Sequence, residues 1–204
     1  MKKLILALSM IALPLASYAE QPQIDDIIDG GLDKKIADIL NNEIVVRSIQ
    51  IQNKNYENLK QNDINDLDQE WRRQTKVENQ PLISSLLNRP LSAYLTRIQA
   101  HSGGIFTEIF VMDNKGLNVG QSSMSSDFWQ GDEDKWQKTY LKSANQKFID
   151  APEFNEKRDV WVVQYNIAIT DNEGKNVGAA TFELNLSELA RKKGILKLVE
   201  NKNE

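Results

Sequence analysis

Gly104 to Trp136 reads GIFTEIFVMDNKGLNVGQSSMSSDFWQGDEDKW, and its first half decides the class of fold. Ile105 to Met112 is rich in β-branched and aromatic residues. Asp113-Asn114-Lys115-Gly116 supplies a turn with glycine for a positive φ, and Leu117 to Ser123 returns as a second strand. The form recurs at Asp171-Asn172-Glu173-Gly174-Lys175-Asn176-Val177-Gly178, sharing DNxGxNVG with the first copy. Val160 to Thr170 and Val177 to Leu186 flank that second turn and are long enough for central strands. Two copies are too few for a solenoid, so they read as two tight corners of one antiparallel sheet. The strand from Val160 is apolar on both faces, with Trp161, Val163, Tyr165 and Ile167 on one and Val160, Val162 and Ala168 on the other. A sheet of that kind needs a cover on each side.

Upstream, the chain supplies one cover. Ile24, Ile27, Ile28, Leu32, Ile36, Ile39, Leu40 and Ile44 form a stripe at three- and four-residue spacing, which predicts a long amphipathic helix continuing through Val45, Ile49 and Tyr56. Gly30-Gly31 marks where the helix proper starts, because glycine costs about 1 kcal/mol relative to alanine in a helix. A second helix is predicted from Asp63 to about Val77, capped by Asn62 or Asp63. Pro81 fits the first turn of a third, Pro90 breaks it, and the period resumes at Leu91 until Gly103-Gly104 stops it.

The other cover is the segment between the hairpins. Asp132 is placed to cap a helix from Glu133 to about Asn145, with Trp136, Tyr140 and Ala144 at four-residue spacing. Residues 151–157 read as a loop. Ser187 caps a short basic helix from Glu188 to about Lys193, followed by a polar tail.

Met1 to Ala19 has a basic start, an apolar run from Leu4 to Leu15, and small residues before Glu20. That is the pattern of a secretory signal cleaved after Ala19. The apolar run is shorter than the roughly 20 residues a membrane span needs; the rival reading is an uncleaved anchor. The expectation is a periplasmic protein with one domain over 20–204: a helical part (20–103), a sheet part (104–186) and a C-terminal helix and tail (187–204). With no cysteine the fold must be held by its own core. A formal net charge of −4 without a clustered basic face gives no footprint for nucleic acid.

The whole order resembles the Cache, or PDC, extracellular sensor domains, relatives of the PAS fold, over about Asp33 to Leu189. The likeness is most specific in FVMDNKGLNVGQSS, DFWQGDEDKW and WVVQYNIAITDNEGKNVG. It implies an α+β fold in a secreted single-domain form: a PAS-like antiparallel sheet of about five strands, with a long N-terminal helix and further helices packed on it. It also implies a small ligand held against the sheet under the loop and helix that follow the second strand. Carried onto this chain, the ligand-binding residues would be Ser122 and Ser123 on that strand, Asp127, Trp129 and Gln130 in the loop, and Trp136 and Tyr140 on the helix. Trp161 and Tyr165 would come from the facing strand, with Asp159 at its mouth. Members of the family mostly lie between two membrane spans and signal to an attached output domain. This sequence shows neither, so the partner would be a separate membrane histidine kinase or other signalling receptor, and the N-terminal helix the place for a homodimer.

Two readings of the site stay open. Asp127, Trp129 and Trp136, with Trp161 facing them, form an aromatic and anionic box for an organic cation or amino acid; or the rings are core between sheet and cover. Asp132, Glu133 and Asp134 are read as first-turn acids favoured by the helix dipole. Neither a cofactor nor a metal is expected: DNKG and DNEG are four-residue turns without a distal ligand, and a lone His101 does not make a zinc site. Nor do the serines at 122–126 sit in a nucleophile setting, so no catalysis is expected. The alternative function is a pocketless periplasmic adaptor or inhibitor that docks on an envelope signalling complex.

Overall fold

The computed structural model describes residues 27–156 and 158–194; the expected signal segment and the polar tail lie outside them. The apolar stripe of the first helix is carried by two helices, Gly30–Leu40 (α1) and Glu43–Asn55 (α2). Their break at Asn41-Asn42 corrects the expectation of one continuous helix. Its cause is a cap: the Asn42 side chain accepts the Ile44 N–H at 3.1 Å, so the chain restarts a helix with the stripe still in phase. Asp29 caps α1 likewise, accepting from the Leu32 N–H at 3.0 Å, which puts the start at the paired glycines.

Gln61–Gln74 (α3) begins slightly ahead of Asp63, because the Asp63 carboxylate reaches back to accept the Lys60 N–H at 2.8 Å. Pro81–Leu87 (α4) and Pro90–His101 (α5) each open on their proline, where a missing N–H costs nothing.

Among the described residues, six strands form one antiparallel sheet: Phe106–Met112 (β1), Asn118–Gln121 (β2), Lys147–Ile149 (β3), Glu153–Asn155 (β4), Val160–Thr170 (β5) and Asn176–Asn185 (β6). Their order is β2-β1-β6-β5-β3, with β4 pairing the same edge of β5 as β3. Each of those edge strands has three residues, too short to show a period in the sequence. Residues 151–157, expected as a loop, therefore contain β4.

The two DNxG turns are one device used twice. In each, the aspartate N–H donates to a carbonyl four residues on (Leu117, Lys175; both 2.9 Å), and its Oδ1 accepts two later N–H groups at 2.8–3.0 Å. Gly116 (φ 83°) and Gly174 (φ 78°) supply the left-handed residue. Their surroundings differ. Asp171 stands at an exposed corner, whereas Asp113 is fully buried and its Oδ2 accepts from Gln52 Nε2 of α2 at 2.9 Å. Burial pushes the Asp113 carboxyl up, and the bonds from Gln52, Leu117 and Lys115 act against that shift.

The main core lies on one face of the sheet. Ile36, Val45, Ile49, Leu91 and Leu95 from the helices meet Ile109, Val111, Val163, Tyr165, Ala180, Phe182 and Leu184. After β6, Leu186–Lys193 (α7) is capped by Asn185, which accepts the Glu188 N–H at 3.0 Å. The helix therefore begins before the expected Ser187 cap. Lys193 Nζ then bonds Ile27 O (2.7 Å) and pairs with Asp29 (2.6 Å), tying this end of the sheet to the start of α1. Among the described residues, no helix is long and apolar enough to cross a membrane.

Candidate functional site

The opposite face of the sheet carries Glu108, Phe110 and Met112 from β1, Ala179, Thr181 and Glu183 from β6, and Val162, Gln164 and Asn166 from β5, as the strand registers dictate. Residues 122–145 cover it in two parts with different attachments. The first is anchored to the helices. Asp68 Oδ1 on α3 accepts the N–H groups of Phe128 (2.9 Å) and Trp129 (3.0 Å), while Arg72 joins Asp68 (2.7 Å) to Asp127 (3.0 Å). Trp71 stacks on Phe128 with centroids 5.4 Å apart and donates from Nε1 to Ser125 O at 3.0 Å. A second core of Ile64, Trp71, Ile83, Leu86, Leu117 and Phe128 forms around this junction.

The second part runs from Gly131 across the sheet. Its helix is only Asp134–Gln137 (α6), where the sequence predicts one reaching about Asn145. Glu133, not Asp132, is the cap residue, and its side chain makes no cap bond. Thr139 Oγ1 donates to Lys135 O and Trp136 O, and residues 141–145 are all exposed, so no buried face holds a longer helix together. Asn145 (φ 57°) then reverses the chain into β3. What does fit the expected spacing is the ring pair: Trp136 stacks on Tyr140 at 4.9 Å, and both pack on Phe110, Met112 and Ala179. Trp136 Nε1 donates to Asp113 O at 3.1 Å.

Beside α6 a cleft of about 490 Å³ opens between residues 133–135 of the cover, residues 150–153, and β5 at 162–164. That volume lies within the range of about 300–1,000 Å³ common to small-molecule sites. Lys135 forms one wall. Its side chain is only 12% exposed, pairs with Glu133 at 2.8 Å, and sets its ammonium 5.5 Å from the centre of the Phe110 ring. Next to Phe110 on this face of β1 is Glu108, paired across the strands with Glu183, which in turn pairs with Gln164 of the cleft. Burial, reinforced by the Glu183 charge, holds the Glu108 carboxyl up at about 7, against the opposing Lys135 and Arg158 charges. Glu108 Oε1 is buried without a hydrogen-bond partner. Glu183 accepts from the Thr107 hydroxyl, and Arg158 lies 3.9 Å from it.

The structure brings some of the expected site residues together and separates others. Trp136 and Tyr140 sit on the cover face. Gln130 is buried in the cover loop, its Nε2 donating to Asp127 Oδ1 at 3.1 Å. Asp127 faces Arg72, and Trp129 donates to Lys115 O at 2.8 Å while packing on the second core; both fasten the loop. Ser122 Oγ accepts the Ile109 N–H at 2.8 Å, a sheet-edge bond, with Ser123 half-buried beside it. Trp161 and Tyr165 correct the expectation most sharply, for they point to the helix face. Trp161 packs on the main core and edge-on to Phe154, and the Tyr165 hydroxyl donates to Asp33 of α1 at 2.7 Å. Trp161 stands on the helix face of the sheet while Trp136 stands on the cover face, so Trp129, Trp136 and Trp161 form no box. Asp159 is an exposed turn residue (φ 55°) just before β5.

Glu108, Glu183 and Lys135 were not singled out from the sequence. A usable signal was present: Glu108 in FTEIFVM and Glu183 in TFELN are ionisable residues inside central strands, where charge is rarely buried unless it is paired or functional.

Neither a family model nor a curated protein matches the sequence. Among solved structures, the chain is similar to the ligand-binding domain of the Campylobacter jejuni chemoreceptor Tlp3 in complex with 4-methylisoleucine (12% identity, TM-score 0.38, 76% of this chain and 63% of that one). It is also similar to the V. cholerae histidine kinase DctB sensor domain (14%, 0.39, 84% and 60%). A third is the ligand-binding domain of the Pseudomonas aeruginosa PAO1 amino acid chemoreceptor PctC in complex with GABA (14%, 0.37, 64% and 55%). The chain thus spans less than two-thirds of the length of each, and all three are sensor or ligand-binding domains of signalling receptors.

Proposed function

We propose that the chain is a non-catalytic, periplasmic sensor domain that binds a small molecule in the cleft beside α6 and acts through a separate membrane signalling protein, such as a histidine kinase or chemoreceptor. The observation that carries this reading is the cleft itself. It is a small-molecule-sized space on the sheet face, walled by a short cover, with a buried carboxyl that has an unpartnered oxygen two strands over on the same face. A ligand there touches the part of the cover that is not fastened to α3. Its binding shifts the cover between two positions by its differential affinity for them, and that difference is the signal passed to the partner.

A thermal-shift screen of amines, amino acids and carboxylates tests the reading, since a ligand of the native state raises the melting temperature. At least one class is expected to do so, and Gln164→Ala, which alters the cleft floor, to weaken the shift. If nothing moves the melting temperature while the protein still captures a membrane kinase or receptor, the pocketless adaptor is the correct description.

A further inference from the structure

Lys135 lines the cleft, and Glu183 and Glu108 lie one and two strands over from Gln164 on the same face of the sheet. Three features describe what this side of the sheet accepts. The first is an ammonium already seated over the face of Phe110, a ring that attracts cations. The second is the sign of the surroundings: Glu133, Asp134, Asp150 and Glu153 line the opening, and Glu108 and Glu183 lie behind, against Lys135 and Arg158. The third is unmet hydrogen bonding. Glu108 Oε1 is buried without a donor. A buried polar atom left so costs about 1–3 kcal/mol.

We propose that Lys135 is a tethered plug: its ammonium holds the inner half of the cleft against Phe110, and a ligand bearing an alkylammonium group replaces it there and frees the Glu133–Gln137 turn. This rests on the reading of the cleft as a ligand site and specifies both the class of ligand and how the site is regulated. The plug is an intramolecular competitor, and a short tether corresponds to an effective concentration in the millimolar range. Competition with it raises the ligand concentration needed for binding. Lys135 also holds the cover: its pairing with Glu133 closes the turn at the start of α6. An organic acid offers nothing to this arrangement, because it would meet the carboxylates of the opening and leave Glu108 without a donor.

The test is chemical replacement of the side chain. Butylamine, which reproduces the lysine arm, is titrated against the full chain and Lys135→Ala, with butyrate as the anionic control and melting temperature as the readout. Butylamine should stabilise Lys135→Ala at concentrations about tenfold or more below those that act on the unmodified protein, a difference of about 1.4 kcal/mol. Glu108→Gln in the Lys135→Ala background should abolish the effect, and butyrate should have none. Should Lys135→Ala fail to fold, Lys135→Ser, which likewise leaves the place over Phe110 open, takes its place with the same expected result. Equal butylamine dependence with and without Lys135, or stabilisation by butyrate equal to that by butylamine, overturns the plug. If carboxylates stabilise the unmodified protein and Gln164→Ala removes that effect, the cleft remains a ligand site and only the plug is wrong. If no compound stabilises either protein, both readings fall.

Discussion

Glu108→Gln should remove a pH dependence from the stability of the folded protein. Held at about 7 in the fold against an ordinary value of 4.5, Glu108 is an acid whose folded form binds its proton more tightly than the unfolded chain does. Between those values the folded state carries more protons, so stability falls as pH rises through the interval and levels off above about 7. At about 1.4 kcal/mol per pH unit the loss attributable to this residue is up to about 3 kcal/mol. Gln keeps the shape and cannot ionise. Near pH 4 the two proteins should be equally stable; by pH 8 the variant should be the more stable, by up to that amount. Urea unfolding of both across pH 4 to 8 measures the difference, in which titrating groups distant from Glu108 cancel. Because Glu183 faces Glu108 across the strands, Glu183→Gln should move the midpoint of the effect to lower pH. Parallel pH curves for the Glu108→Gln and unmodified proteins would refute the claim that this carboxyl is buried beside another acid.

Other substitutions probe the supports of the site. Asp68→Ala strands the Phe128 and Trp129 N–H groups and frees Arg72, and should cost about 3 kcal/mol in urea unfolding, with faster amide exchange at residues 128 and 129. Gly174→Ala should cost about 1–2 kcal/mol, the strain of a left-handed residue with open space around it. Gly116→Ala should cost clearly more, because its added carbon would lie 2.5 Å from Gly131 Cα, and equal losses would contradict the close approach of turn and cover. Tyr165→Phe removes the bond to Asp33 and should cost about 1 kcal/mol, leaving the response to cleft ligands unchanged because the ring is on the helix face.

The sheet was legible because its cues are local. A repeated DNxGxNVG turn between β-branched runs fixes two hairpins, and Val160–Thr170 emerges with the bounds read from its residues. The helices were legible as a stripe, but the Asn41-Asn42 break was not, since a cap changes the backbone without disturbing the period. The site was harder to see. Trp129, Trp136 and Trp161 are conspicuous, yet large rings serve a core as readily as a ligand, and here Trp129 and Trp161 pack on two different cores. One face of β5 is wholly apolar from Trp161 to Ile169 and the other mixes Val162 and Ala168 with Gln164 and Asn166, but alternation alone does not say which of the two looks at the cover. Pairing register decides that, and register is a long-range property. The short α6 escaped for a similar reason, because the periodic spacing of Trp136 and Tyr140 persists in a chain of turns.

The central claim is that the cleft beside α6 is where a ligand acts on the cover. An NMR titration of ¹⁵N-labelled protein with the compound that most raises its melting temperature tests it directly. The account predicts saturating amide shifts concentrated at residues 133–135, 150, 151, 153 and 162–164, extending to Glu108 and Glu183. Shifts confined instead to the apolar groove of Ile51, Tyr56, Arg89 and Val119, with the cleft amides unmoved, would contradict it.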